Sequence, residues 1–216
     1  GIFLALTFWG VLALIFSPVF GEGRNGLAFA DNLFNKLSKG SSYFIPKIMK
    51  ANEKFIGKPF SVSIKVEEPA DAEKIVKLFD TAGARAVIQG KEISLEGDLG
   101  KVMEAVLKDA DAMYQNDGAK VSGIYGMDGK EVLQNWWQAL SKMSKVFAKE
   151  KKIEEAKHVS DVYKKTVETA FNYYGIEPQK VIEKAGLMTS LLAFYVVYTM
   201  WWGFAIFYIF EGIGLT

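Results

Sequence analysis

From Leu187 to Phe210 no side chain carries a charge. As a helix, at about 1.5 Å rise per residue, this stretch would reach roughly 36 Å, enough to cross a bilayer core of about 30 Å with some tilt. In hydrocarbon only a helix or a closed barrel satisfies its own backbone, so the run predicts a transmembrane helix over 185–211. Gly1 to Phe20 is a second uncharged apolar run. It lacks the basic leading segment of a secretory signal, and Ser17-Pro18-Val19-Phe20 matches a small-residue cleavage site poorly; a retained first span over 1–20 is therefore expected. Everything between Gly21 and Lys184 then hangs as one large loop on one side of a membrane.

Charge is partitioned to match. All 26 Lys and Arg lie between Arg24 and Lys184, and all of the 25 acids except Glu211 lie between Gly21 and Lys184. The loop is near balance with mixed signs, unlike the one-signed surface of a nucleic-acid binder, so no DNA or RNA partner is expected. Arg24, Lys36, Lys39, Lys180 and Lys184 sit near the loop-side ends of the runs, with no Lys or Arg beyond them. The positive-inside rule then places the loop in the cytoplasm, below an inner or plasma membrane. The chain has no Cys and one His, His158. Disulfides, thiolate metal centres, iron–sulfur ligation and bis-histidine haem cannot be built from its residues, and no cofactor of its own is expected.

The expected fold class is an α+β membrane protein: two transmembrane helices, N- and C-terminal, flanking a ferredoxin-like β-α-β-β-α-β domain and a helical hairpin. After the first span, residues 21–58 read as an amphipathic helical connector, with Leu27, Ala30, Phe34 and Leu37 at helical spacing and a break at Gly40-Ser41-Ser42. Residues 59–127 carry the ferredoxin-like pattern. Phe60, Val62, Ile64 and Val66 alternate with polar residues as a half-buried strand. Pro69 and Asp71 open a helix closed by Gly83, and Gly90-Lys91 joins the strands 84–89 and 92–96. Asp98 caps the next helix, and Lys120 to Tyr125 reads as a fourth strand. Residues 128–175 form the hairpin, with stripes Val132 to Phe147 and Ile153 to Phe171 about a basic turn; 176–184 connect to the second span. In both spans small residues recur on one face, Gly10, Ala13 and Ser17 in the first and Gly186, Ser190 and Ala193 in the second, and are expected to pack together.

Few residues invite a chemical reading. Gly21-Glu22-Gly23-Arg24-Asn25-Gly26 matches GxGxxG, but a dinucleotide turn needs a strand before it, and here an apolar helix precedes; a flexible exit is expected. Glu154, His158 and Asp161 share a helix face, yet Lys157, Lys164 and Lys165 crowd it, which favours a solvated surface over a metal site. Glu211 falls at the far end of its span, where it reaches water. Tyr195, Tyr198 and Trp202 recur at i, i+3 and i+7. Phenols in a bilayer seek hydrogen-bond partners, so this face is expected to contact another membrane helix. Of the pair Trp136-Trp137, one can serve the core while its neighbour, about 100° round the helix, is offered as a docking anchor. The partner-binding residues expected are thus Tyr195, Tyr198, Trp202 and Trp137.

The expected function is a non-catalytic accessory or scaffold subunit of a larger membrane protein complex, such as a bioenergetic one. Its partners would be other membrane protein subunits and the lipid bilayer. The alternative is a membrane-anchored sensor or regulatory protein binding a small ligand through the ferredoxin-like domain. An enzyme built on Glu154 or Glu211 lacks a paired acid–base geometry.

Overall fold

The computed structural model describes residues 1–215, and the order of elements departs from the expected one at two places. The first is the apolar N-terminus. Helix α1 covers only Ile2–Phe16, about 22 Å of helix, short of the roughly 30 Å of a bilayer core. Its end is set by Pro18, which drives the preceding Ser17 into an extended conformation (φ −81°, ψ 153°). One helix among the described residues is long and apolar enough to cross a membrane, within Val181–Gly212. The expectation of two flanking transmembrane helices is corrected to one candidate span.

The second departure is the expected fourth strand. Residues Gly118–Tyr125 form a helix, so the β-α-β-β-α-β ferredoxin-like fold is not made. Val121, Gly123 and Tyr125 alternate as a strand would, but Val121 and Tyr125 also stand four apart, and both are buried on one helix face. The ends decide between the periods. Asp117 accepts a hydrogen bond from the Lys120 N–H at 3.2 Å, and Gly126 closes the helix in the left-handed conformation (φ 66°). What remains is a helix-rich fold around a three-stranded antiparallel sheet of order β1-β3-β2.

Residues 42–176 form one compact unit. It starts with α3 (Ile45–Asn52), with Pro46 in its first turn, followed by a single 3₁₀ turn, Glu53–Phe55. Strand β1 (Pro59–Lys65) buries Phe60, Val62 and Ile64 and exposes the residues between them. It is followed by α4 (Pro69–Thr81), β2 (Arg85–Gln89) and β3 (Glu92–Asp98). Ile64 lies opposite Ile93 and Val62 opposite Leu95, so one face of the sheet is apolar throughout. The other face pairs Lys65 with Glu92 and Arg85 with Glu96, opposite charges that suit a solvated surface.

The apolar face is covered by helices. After α5 (Leu99–Tyr114), capped by Asp98 through the Lys101 N–H at 3.1 Å, come α6 (Gly118–Tyr125) and α7 (Gly129–Lys149). Helix α7 presents Val132, Leu133, Trp136, Ala139, Leu140, Met143 and Phe147, all buried, and packs on β1, α4 and α6. Residues 59–127 and 128–175 therefore share a single hydrophobic core. Each fully buried aliphatic or aromatic side chain in it is worth about 1.5–3 kcal/mol over exposure, which is what holds the unit together. The antiparallel return from α7 runs through α8 (Ile153–Val162), a π turn at Tyr163–Val167 and α9 (Glu168–Tyr173).

The second unit joins residues 1–41 with 177–215. It contains α1, α2 (Gly26–Ser41), a 3₁₀ turn at Val181–Lys184 and the long α10 (Ala185–Gly212). Helices α1 and α10 pack antiparallel, but not through the small residues expected to form the seam. Gly10, Gly186 and Gly203 have open space where a Cβ would stand. The seam is aromatic: Phe8 stacks on Tyr198 at 4.2 Å between centroids and lies 4.6 Å from Trp202, which meets Trp9 edge-on. Gly21, Glu22 and Gly23 all take positive φ in a tight turn between α1 and α2, so the GxGxxG match serves as a connection and not as a nucleotide cradle.

Candidate functional site

The adjacent tryptophans of α7 divide as their angular offset requires. Trp136 is fully buried, packed edge-on against Phe79 at 5.1 Å, and its Nε1–H donates to Asp109 Oδ2 at 2.9 Å. Tyr125 donates its hydroxyl to the same oxygen at 2.7 Å. Burial raises the Asp109 carboxyl above the ordinary carboxylate range, opposed by these two donors and by Lys120. Burial together with the neighbouring Asp109 raises the Tyr125 phenol. A buried acid whose oxygen is held by two buried donors ties α5, α6 and α7 together; it is a structural knot. Sequence reasoning missed it, although the signal was present: Asp109 sits three residues after Val106 and four before Met113, on the apolar stripe of α5.

Trp137 points the other way and is 41% exposed. It lines a cleft of about 380 Å³ between α7 and the π turn and α9, together with Leu133, Gln134, Val167, Glu168, Phe171 and Asn172. Tyr163 meets the Trp137 ring edge-on at 6.1 Å, and Glu168 Oε2 accepts weakly from its Nε1–H at 3.4 Å. The π turn inserts an extra residue in the helical path, and such turns are frequent at functional sites. The cleft is apolar at its base and polar at its rim, the composition of a small-ligand or side-chain pocket.

On the helix face of Glu154, His158 and Asp161, Glu154 is exposed as expected, but His158 is not. His158 is 6% exposed and stacks on Phe55 at 4.1 Å and 9°. Asn52 donates from Nδ2 to the Gly100 carbonyl at 2.7 Å, leaving its Oδ1 to accept from His158 Nε2–H at 2.8 Å. That fixes the neutral tautomer with the proton on Nε2. Burial, with Lys54 nearby, pushes the imidazole down to about 4. Asp161 is paired with Lys165 at 2.7 Å, and the described residues contain no group of three ligands that could hold a metal ion.

On α10 the expected partner face is split. Tyr198 and Trp202 turn to α1: the Tyr198 hydroxyl donates to the Phe8 carbonyl at 3.3 Å, and the neighbouring Trp201 Nε1–H donates to the Leu4 carbonyl at 3.1 Å. Tyr195 lies beside this seam, 66% exposed, and its hydroxyl has no partner among the described residues. Glu211 lies in the last turn of α10 and is exposed. Against protein-family models, curated proteins and solved structures the chain gives no match.

Proposed function

We propose that the chain is a membrane-anchored accessory subunit, without catalysis of its own, that presents residues 42–176 beside a larger membrane protein complex. The observation that carries this reading is Tyr195. It lies about 12 Å along the helix from Leu187, within hydrocarbon depth, while its neighbours Tyr198 and Trp201 have their polar tips satisfied on α1. A phenol left open there is matched by an acceptor on another membrane helix. Asp109 and His158, buried in the other unit, are engaged in internal hydrogen bonds, which suits a scaffold. With every Lys and Arg on the N-terminal side of α10, the positive-inside rule sets residues 42–176 on the cytoplasmic side.

The test is a photo-crosslinking residue in place of Tyr195, and, as a control, of Val197, about 200° round the helix. A discrete adduct with another membrane protein from position 195, absent from 197, is the expected result. Adducts with lipid alone at both positions would refute the subunit reading. Tyr195→Leu is expected to release the partner with insertion unchanged, whereas Tyr198→Leu acts within the chain.

The cleft beside Trp137 favours a second reading, a regulatory protein that binds a small ligand. Its volume falls in the range of such sites. A metabolite that shifts the fluorescence of the wild type, but not of Trp137→Phe, would favour this reading over the first.

A further inference from the structure

A cavity of about 180 Å³ lies between α2 and the segment leading into α10. Arg24, Lys36 and Lys184 line it, with Asn32, Gln179 and Leu187, where the uncharged stretch begins. The site is built rather than incidental. Gln179 donates its backbone N–H to the Lys36 carbonyl at 3.0 Å, and a Cβ on Gly40 would come within 2.2 Å of the Gln179 carbonyl oxygen. The segment can lie this close to α2 only over glycine. Arg24 meets the exposed carboxylate of Glu22, whereas neither Lys36 nor Lys184 has an ion-pair partner among the described residues. Lys184 stands where the 3₁₀ turn Val181–Lys184 passes into α10.

Three cations in a lining that contains no acid, of which Arg24 alone is met by a carboxylate, make a site for a compact anion. Its place at the boundary between charge and hydrocarbon selects the source. We propose that this pocket holds the phosphate of an anionic phospholipid headgroup, with the acyl chains running beside α10 from Leu187 onward. The proposal rests on the reading that α10 crosses a membrane. It agrees with the sidedness above, because the cytoplasmic leaflet carries the anionic lipids and basic pockets at helix ends select their headgroups.

The full chain, purified in a zwitterionic detergent, is titrated with phosphatidylglycerol, with phosphatidylcholine and with inorganic phosphate, and bound species are counted by native mass spectrometry. One phosphatidylglycerol per chain should be retained in preference to phosphatidylcholine. The pair Lys36→Gln with Lys184→Gln should weaken retention about thirtyfold. The pair Lys145→Gln with Lys149→Gln on α7, equal in charge change, should leave it unaltered. Equal loss in both pairs would reduce the effect to diffuse charge and overturn the site. Inorganic phosphate binding as tightly as the lipid would overturn the lipid assignment. Flotation with neutral phosphatidylcholine vesicles separates this proposal from the reading it rests on: a wild-type chain that does not float refutes both, while one that floats without anionic preference refutes the headgroup site alone.

Discussion

The two compact units dispose of their polar groups in opposite ways. In residues 42–176 several buried donors find an acceptor on a side chain from a distant segment, as Tyr125 and Trp136 do on Asp109 and His158 does on Asn52. In the unit of 1–41 with 177–215, the aromatic tips of α10 donate to main-chain carbonyls of α1, and the apolar side chains face outward. Helix α1 has no buried residue and α10 buries only Ala205, whereas α7 buries a full stripe from Val132 to Phe147. Under the proposal that α10 crosses a membrane, the difference follows from the two solvents. An interior that excludes water must pair its polar groups within itself, and a surface facing hydrocarbon must display apolar side chains and conceal its tips.

Substitutions should break the two units to very different extents. Ile64, almost fully buried in β1 opposite Ile93, is expected to be intolerant of charge: Ile64→Asp should unfold residues 42–176, costing more than about 4 kcal/mol. Lys65→Asp, on the solvated face opposite Glu92, should cost less than about 1 kcal/mol. Limited proteolysis of the full chain reads both, and equal sensitivity would contradict the burial pattern of β1.

Asp109→Ala should cost about 3 kcal/mol, because it strands the Tyr125 hydroxyl and the Trp136 N–H without water. A chemical-denaturation midpoint close to that of the wild type would mean the knot is not holding α5, α6 and α7. The matching change in the other unit, Tyr198→Phe, removes a hydrogen bond between apolar helices and should cost only about 0.6 kcal/mol.

Acid should act on the first unit through His158. Its folded pKa, about 4, lies below the ordinary 6.5, so the unfolded chain takes up the proton first. The contribution is complete above pH 6.5 and is lost as pH falls toward 4, about 2 kcal/mol of it by pH 5. His158→Gln should flatten the dependence of the denaturation midpoint between pH 7.5 and 5; an unchanged slope would show that another group titrates there.

Much of residues 42–176 was legible in the sequence because periodicity and end signals agree there. The alternation of Phe60 to Val66, the Pro69 start and Gly83 stop of α4, the Gly90-Lys91 turn and the Asp98 cap each gave the element found. Where the signals conflicted, the short period misled: Val121-Ser122-Gly123-Ile124-Tyr125 fits either period, and only the Asp117 and Gly126 boundaries select the helix. At the N-terminus composition said span, while Pro18 limited the length of α1. The interior of the sites was less legible. His158 reads as surface among its lysines, because Asn52 and Phe55, which bury it, are remote in sequence. Trp137 could be separated from Trp136 by angle alone, but the π turn that shapes its cleft leaves no periodic trace.

The proposed function requires that α10 cross the membrane and that residues 42–176 lie on the cytoplasmic side. The chain has no native thiol, so single cysteines at Leu192, Val196, Met200, Phe204 and Lys149 report directly on both points. In intact cells a membrane-impermeant maleimide should label none of them, and after permeabilisation it should label Lys149→Cys alone. Uniform labelling along α10 after permeabilisation would show that no membrane surrounds it, and labelling of Lys149→Cys in intact cells would place the domain on the outer side.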